Sequence, residues 1–269
     1  MEIIKLGDIN FNAFEKLRYQ GDNSTIYTNG DICVKRLEDL TKEEKDDMKR
    51  KLMEMADISV VDALLPKGLV LDGDVLDSII IANFKNSKNF FERFGRSRFV
   101  DIAEIFSAVK RASLILRELH ENGIVCQDLT FSNILIDSEE NIKYCDMDSC
   151  CYNGIYSPYS SLLLERFMIG FRREKKYCVT KNTDRLSLFL SFIQFLYSKE
   201  MQKISIRKYQ ELSDKLKTLE NCKQYFEILI DKRNPIPQIP YMDELIDDSD
   251  EGQIDRKKQI SLFEKIRRM

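Results

Sequence analysis

The feature that most constrains the fold is a helix-forming stretch near residue 190 that is apolar on almost every side. Asn182-Thr183-Asp184 supplies residues typical of a helix start, and no charged residue follows from Leu186 to Ser198. A helix without a polar face is stable only when other elements surround it. The stretch is too short to cross a membrane, which takes about 18 or more apolar residues. We therefore expect this helix at the centre of a helical region.

The chain before residue 85 carries strand patterns with one helix among them. Two pairs of β-prone stretches each flank a turn that contains glycine: Thr25 to Tyr27 with Ile32 to Val34, and Ala63 to Val70 with Val75 to Phe84. Between the pairs, Thr41 and Glu44 have the spacing of a capping box, which predicts a helix to about Ala56. This part is expected to be a β-rich unit.

Helical patterns dominate after residue 100. Apolar residues at spacings of three and four predict a helix from Asp101 to Glu121, and weaker helices are expected from Ile206 to Thr218 and from Cys222 to Asp231. Only short β-prone pieces, Ile124 to Ile136 and Asn141 to Cys145, interrupt them. We expect an α+β fold with a β-rich region at 1–84, a mainly helical region at 85–245 and a charged tail with a helix at 246–269. The acidic run at 247–251 is interpreted as solvent-exposed.

Composition excludes several classes of protein. The 42 basic and 45 acidic side chains give a net charge of −3, which offers no general reason to expect nucleic-acid binding. Seven cysteines without a C-x-x-C pair argue against a disulfide framework and fit a reducing compartment. The first residues, MEIIKLGDINF, lack the pattern of a secretory signal. A cytoplasmic protein without a membrane span is expected.

Three polar side chains on predicted loops point to chemistry. Asp128 is followed five residues later by Asn133, and Asp146 lies beyond the β-prone pieces that separate them. A hairpin of that length would bring Asn133 and Asp146 close together. Their oxygens suit Mg²⁺, which takes few protein ligands and keeps the remaining positions for water and phosphates. The pattern therefore predicts a magnesium site beside a further carboxylate.

These segments resemble motifs of protein kinases. Asp128-Leu-Thr-Phe-Ser-Asn133 is similar to the catalytic loop H-R-D-L-x-x-x-N, Cys145-Asp-Met-Asp148 to the D-F-G segment, and Asn182 to Leu188 to the start of the buried central helix. Upstream, Cys33-Val-Lys35 stands in the place of V-A-I-K, and Gly21 to Tyr27 in that of the glycine-rich loop. The resemblance covers about residues 15 to 200 and looks most like bacterial serine/threonine kinases of the eukaryotic type. It implies a bilobal fold with a small β-rich N-lobe and a larger, mainly helical C-lobe.

The resemblance also implies roles for individual residues. Lys35 would hold the α- and β-phosphates of ATP with Glu54 orienting it, Asp128 would accept the proton of the attacking hydroxyl, and Asn133 and Asp146 would bind Mg²⁺. The remaining nucleotide contacts would come from the loop residues Gly21 and Ser24 and from an adenine-binding hinge formed by Ile81, Ala82, Asn83 and Phe84. ATP and a protein hydroxyl are the expected substrates.

Several motif positions depart from the kinase pattern. Cys126 and Gln127 replace the histidine and arginine before the catalytic aspartate, Thr130 replaces a lysine, and Asp148 replaces the glycine of D-F-G. No A-P-E motif follows. Two alternatives therefore stay open beside a protein kinase. One is a pseudokinase that acts as a binding module, and the other is a small-molecule kinase of the aminoglycoside or choline type.

Overall fold

The computed structural model of the protein shows a mixed α+β fold, the class expected from the sequence. It describes residues 1–17, 24–95, 102–158, 162–168, 179–198, 203–214, 216–231 and 233–250. The predicted loop residue Gly21 and the predicted helix at the C-terminal end lie outside the described residues.

The first part of the chain forms a six-stranded sheet with the order β1-β5-β6-β4-β3-β2. Only the pairing of β1 with β5 is parallel; the other neighbours are antiparallel. The strands are β1 (Glu2–Lys5), β2 (Glu15–Lys16), β3 (Ser24–Thr28), β4 (Ile32–Leu37), β5 (Gly68–Asp72) and β6 (Val75–Ala82).

Both predicted strand pairs are present, although the second begins later than expected. The stretch from Ala63 to Pro66 is not part of the large sheet. Instead, the Leu64 N–H donates to the carbonyl of Tyr144 at 2.8 Å, and the Tyr144 N–H donates to Asp62 at 2.9 Å. These backbone bonds tie the start of the segment to another part of the chain, so β5 forms only from Gly68.

The capping box starts helix α1 (Lys42–Glu54) as predicted, with the Thr41 side chain and Glu44 bonding each other's backbone amides. Met48 and Leu52 of this helix are buried in the main hydrophobic core with Leu37 and Ile79 of the sheet. On β4 the side chains alternate between faces, so Val34 belongs to a separate small core on the opposite face. Alternation therefore directs Lys35 to the same side as Leu37.

Among the described residues after 101, most of the regular secondary structure is helical. They are α2 (Ile102–Glu121), α3 (Leu162–Met168), α4 (Lys181–Tyr197), α5 (Ile206–Ser213), α6 (Lys217–Ile230) and α7 (Met242–Leu245). Helix α4 is buried on almost every side, as its composition predicts. No helix among the described residues combines the length and the apolar character needed to cross a membrane.

The start of α4 differs from the expected cap at 182–184. Thr180 is the N-cap, because its extended backbone lets the hydroxyl accept from the Thr183 N–H while Thr183 bonds back to it. Asn182 instead bonds the backbone of Pro237 and Ile239. Because Thr180 caps the helix, Asp184 lies within the first turn of α4, where it is buried and its carboxylate can contact other parts of the chain.

A second, three-stranded sheet has the order β7-β8-β9, with β7 at Lys88–Asn89, β8 at Ile134–Ile136 and β9 at Ile142–Tyr144. The hairpin β8–β9 matches the two short β-prone pieces of the sequence. Ile134 pairs with Tyr144, so residues 133 and 145 flank the same end of the hairpin.

The described part of the predicted tail, residues 246–250, packs against the helices. Asp250 is buried, and its carboxylate accepts from the backbone N–H groups of Lys217 and Thr218 at 2.8 and 2.7 Å. The interpretation of the acidic run as exposed is wrong at this position, because Asp250 satisfies the first amides of α6.

Candidate active site

The loop before β8 carries Asp128 and Asn133 and is closed by their mutual contact. The Asn133 Nδ2 group donates to the backbone carbonyl of Asp128 at 2.8 Å. The Asn133 backbone carbonyl accepts from the Cys145 N–H at 3.0 Å, across the end of the hairpin. Asn133 therefore lies between the predicted catalytic aspartate and the residue that precedes Asp146.

Asp146 follows the hairpin in a left-handed backbone conformation, with φ of 61°. Few residues other than glycine, asparagine and aspartate adopt this conformation readily. The turn at Met147–Ser149 comes directly after it, and the Ser149 N–H donates back to the Asp146 carbonyl at 3.1 Å. This turn places the side chains of Asp146 and Asp148 in contact with the same lysine, Lys35.

Lys35 projects from β4 between the two aspartates. Its Nζ forms an ion pair with Asp146 and another, at 2.8 Å, with Asp148. Burial by itself would lower the pKa of Lys35, but the carboxylates of Asp148 and Asp146 outweigh burial and raise that pKa above its usual range. Burial also raises the pKa of Asp148, which the Lys35 charge partly opposes. The sheet therefore meets residues 145–150 through a charged lysine. We call residues 145–150 the metal segment, because they contain the predicted Mg²⁺ ligand Asp146.

Glu54 does not take the position expected for it. It lies exposed at the end of α1, where its carboxylate accepts from the Asn153 Nδ2 at 3.0 Å. The predicted pairing of Lys35 with Glu54 is absent among the described contacts, since the inward face of α1 does not include residue 54. Among the described residues, the ion pairs of Lys35 are with Asp146 and Asp148 of the metal segment instead.

The inward face of α1 carries a lysine that the sequence interpretation missed. Lys51 is fully buried, and its Nζ donates to the carbonyls of Asp148 and Cys150 at 2.8 and 2.6 Å. Burial lowers the pKa of Lys51. A signal was present, because Lys51 lies three residues after Met48 and four before Met55, on the apolar face of the helix.

The predicted hinge residues occupy the end of β6 and the loop after it. Ile81 and Ala82 pair with Cys33 and Ile32 of β4. The Asn83 N–H donates to the Asp31 carbonyl at 3.0 Å, and Phe84 lies 5.6 Å from the Lys143 ammonium. The predicted loop residue Ser24 begins β3 and pairs with Leu37 of the same strand β4. The contact of Ser24 and of residues 81–84 with a nucleotide stays a prediction.

Asp184 supports the loop that precedes Asp128. Its carboxylate accepts from the backbone N–H groups of Cys126 at 2.6 Å and Gln127 at 3.2 Å, and it lies 3.0 Å from His120 Nε2. The other His120 nitrogen bonds the Tyr241 hydroxyl at 2.8 Å. Reasoning from the sequence would treat His120 as a helix-end residue, and no local signal indicates its partners.

Gln127 occupies the position where the kinase pattern has arginine, and it is buried. Its side-chain amide donates to the Ser157 carbonyl at 2.9 Å and accepts from the Ser157 N–H at 3.1 Å. The segment around Ser157 is therefore attached to the loop before Asp128 through hydrogen bonds of a neutral side chain.

The oxygen atoms at this site fit Mg²⁺. Asn133 and Asp146 lie at one end of a hairpin, and Mg²⁺ needs only one or two protein ligands when phosphates supply others. Among the described residues, no group of three or more histidine, cysteine or acidic side chains has the arrangement of a metal centre. The predicted ligand set includes an asparagine and does not depend on such a group.

The cysteines around the site are free thiols with raised pKa values. Burial raises the pKa of both Cys145 and Cys150 to about 12. The thiolate is the nucleophilic form, so we expect neither cysteine to react rapidly with iodoacetamide at pH 8 in the folded protein. Mass spectrometry of peptides after timed labelling measures this directly.

Labelling in denaturant is the control, because all seven cysteines of the chain should then react. Peptide mapping separates the site thiols from Cys178, which lies outside the described residues. Rapid modification of half-buried Cys145 or of buried Cys150 in the native protein would contradict their raised pKa values.

No protein-family model matches the sequence, and no curated protein matches it significantly. Any statement about activity therefore depends on the order of the motifs and on the geometry of the site.

Proposed function

We propose that the protein is an ATP- and Mg²⁺-dependent phosphotransferase that acts on serine or threonine hydroxyls of proteins. The observation that carries the proposal is the meeting of Lys35 with Asp146 beside the loop of Asp128 and Asn133. Phosphoryl transfer needs mainly positioning and neutralisation of charge, and these groups supply both.

Each residue has a distinct part in the proposed reaction. Lys35 holds the α- and β-phosphates of ATP, and Asp128 accepts the proton of the attacking hydroxyl. Asn133 and Asp146 are the residues that would hold Mg²⁺, which neutralises phosphate charge when bound. Asp184 keeps the backbone before Asp128 in place through two hydrogen bonds.

Two observations bear on the rival functions. A small-molecule kinase is favoured by the missing A-P-E motif, but the Thr183-Asp184-Arg185 start of α4 looks more like a protein kinase. A pseudokinase is favoured by the degraded glycine-rich loop and by Thr130. The presence of Lys35, Asp128, Asn133 and Asp146 together opposes it, because a binding module has no chemical need for all four.

The direct test is incubation of the purified protein with γ-labelled ATP and Mg²⁺ and a generic protein substrate. We expect transfer by the wild type and a loss of about 10²- to 10⁴-fold in kcat for Asp128→Asn, because the general base is removed while its shape is kept. Label on the protein itself and on the substrate is counted separately.

Glu139→Gln is the matched control, since Glu139 is an exposed carboxylate at the turn of the β8–β9 hairpin, which follows the loop of Asp128. It should transfer phosphate like the wild type. Equal activity of Asp128→Asn and wild type would exclude the proposed role of Asp128. If no variant transfers phosphate although ATP raises the melting temperature, the protein is either a pseudokinase or an enzyme for another acceptor, and a screen of metabolite acceptors separates these.

A further inference from the structure

We propose that Asp148, and not Glu54, is the carboxylate that positions Lys35 for the nucleotide, and that Lys51 of α1 holds Asp148 in place. Both are positioning residues, since neither is assigned a contact with the transferred phosphate. The inference deepens the proposed function and rests on it.

The two aspartates that contact Lys35 differ in exposure. The Asp146 side chain is 32% exposed and that of Asp148 is 1% exposed, whereas that of Lys35 is 8% exposed. The accessible carboxylate is the one able to turn toward a metal ion. The buried carboxylate has no such freedom, so it remains the partner of Lys35 when Asp146 binds Mg²⁺.

Asp148 is held at two points by two different lysines. Its Oδ2 accepts from Lys35 at 2.8 Å, and its backbone carbonyl accepts from Lys51 at 2.8 Å. Lys51 also bonds the Cys150 carbonyl at 2.6 Å. Because Lys35 lies on β4 and Lys51 on α1, the position of Asp148 is determined by the sheet and the helix together.

Helix α1 offers Lys35 no carboxylate from its inward face. The buried residues of the helix are Met48, Lys51 and Leu52. Glu54 is exposed and bonded to Asn153. The carboxylate that anchors the phosphate-binding lysine is thus supplied by the metal segment, and α1 contacts that segment through the donated hydrogen bonds of Lys51.

The test compares Asp148→Asn with Glu54→Gln, two isosteric changes that each remove one negative charge. Dissociation constants for ATP and, in the transfer assay, kcat and KM for ATP are measured for both variants and the wild type. We expect Asp148→Asn to raise the Kd and KM for ATP by about 10-fold or more, with a smaller change in kcat, because the ion pair with Lys35 is replaced by a weaker contact to a neutral amide. Glu54→Gln should match the wild type.

Lys51→Met and Lys51→Arg extend the test to the helix. Methionine resembles the apolar neighbours of Lys51 but cannot donate, so it should raise the KM for ATP in the same direction as Asp148→Asn. Arginine keeps the charge and the donors and should restore part of the affinity. All assays are run below the melting temperature of each variant, which keeps a folding defect separate from an effect on ATP.

The outcomes separate this inference from the proposed function. Weaker ATP binding by Glu54→Gln with no change for Asp148→Asn would overturn the inference while the kinase assignment stands. Weaker ATP binding by Asp148→Asn alone supports it even if the acceptor substrate is still unknown. Failure of the wild type to bind ATP at all would overturn both.

Discussion

Replacing Asp146 by alanine is expected to reduce Mg²⁺-dependent phosphate transfer by about 10³-fold, because metal ions contribute several kcal/mol to such reactions. Asp146 is the accessible carboxylate beside Asn133, and alanine removes its oxygens entirely. The same change also removes one of the two ion pairs of Lys35. Initial rates measured over a range of Mg²⁺ concentrations would show the effect as a loss that added Mg²⁺ does not recover.

The Glu139→Gln variant serves again as the control for loss of one acidic side chain near the hairpin. Its rate should follow that of the wild type at every Mg²⁺ concentration. Undiminished transfer by Asp146→Ala would refute the assignment of the site, because Asp146 is the carboxylate proposed to hold Mg²⁺ together with Asn133.

Replacing Asp184 by alanine is expected to lower the free energy of unfolding by about 4 kcal/mol, since each buried N–H left without an acceptor costs about 1–3 kcal/mol. Two backbone N–H groups, of Cys126 and Gln127, and the ring of His120 lose their shared partner in this variant. Proteins of this size have a total stability of only about 5–15 kcal/mol, so the loss is large. Urea unfolding followed by circular dichroism measures it.

Lys181→Ala is the matched control for this experiment, because Lys181 is an exposed residue in the first turn of the same helix. Its effect should stay within about 0.5 kcal/mol of the wild type. If Asp184→Ala changes the free energy of unfolding as little as Lys181→Ala does, the loop before Asp128 is held by other contacts.

The elements that could be predicted are those with a strong local pattern. The capping box locates α1, the spacing of apolar residues locates α2, and uniform apolarity marks α4 as buried. Strand β1 was not predicted, because its four residues have no alternation and it pairs in parallel with β5, a strand more than sixty positions away. A short window of sequence contains no pattern that predicts such long-range pairing.

In the candidate site, too, the residues close together in sequence could be predicted and the long-range contacts could not. Asp128, Asn133 and Asp146 lie within one short segment, so their spacing alone indicates the hairpin that brings the last two together. The contact between Lys35 and Asp148 joins residues 113 positions apart, and no local pattern reveals it. Lys51 and Glu54 are less than one helical turn apart, and the apolar positions Met48 and Leu52 indicate that Lys51 is the one that faces inward.

The capping of α6 by Asp250 has a practical consequence for shortening the protein. Helix α6 begins at Lys217, and its first amides take their acceptor from a side chain more than thirty positions later. A C-terminal deletion that stops before Asp250 would remove that acceptor and expose the start of a buried helix to fraying. A shortened variant that keeps the start of α6 capped therefore includes Asp250, and an expression boundary set at the end of α7 would be too early.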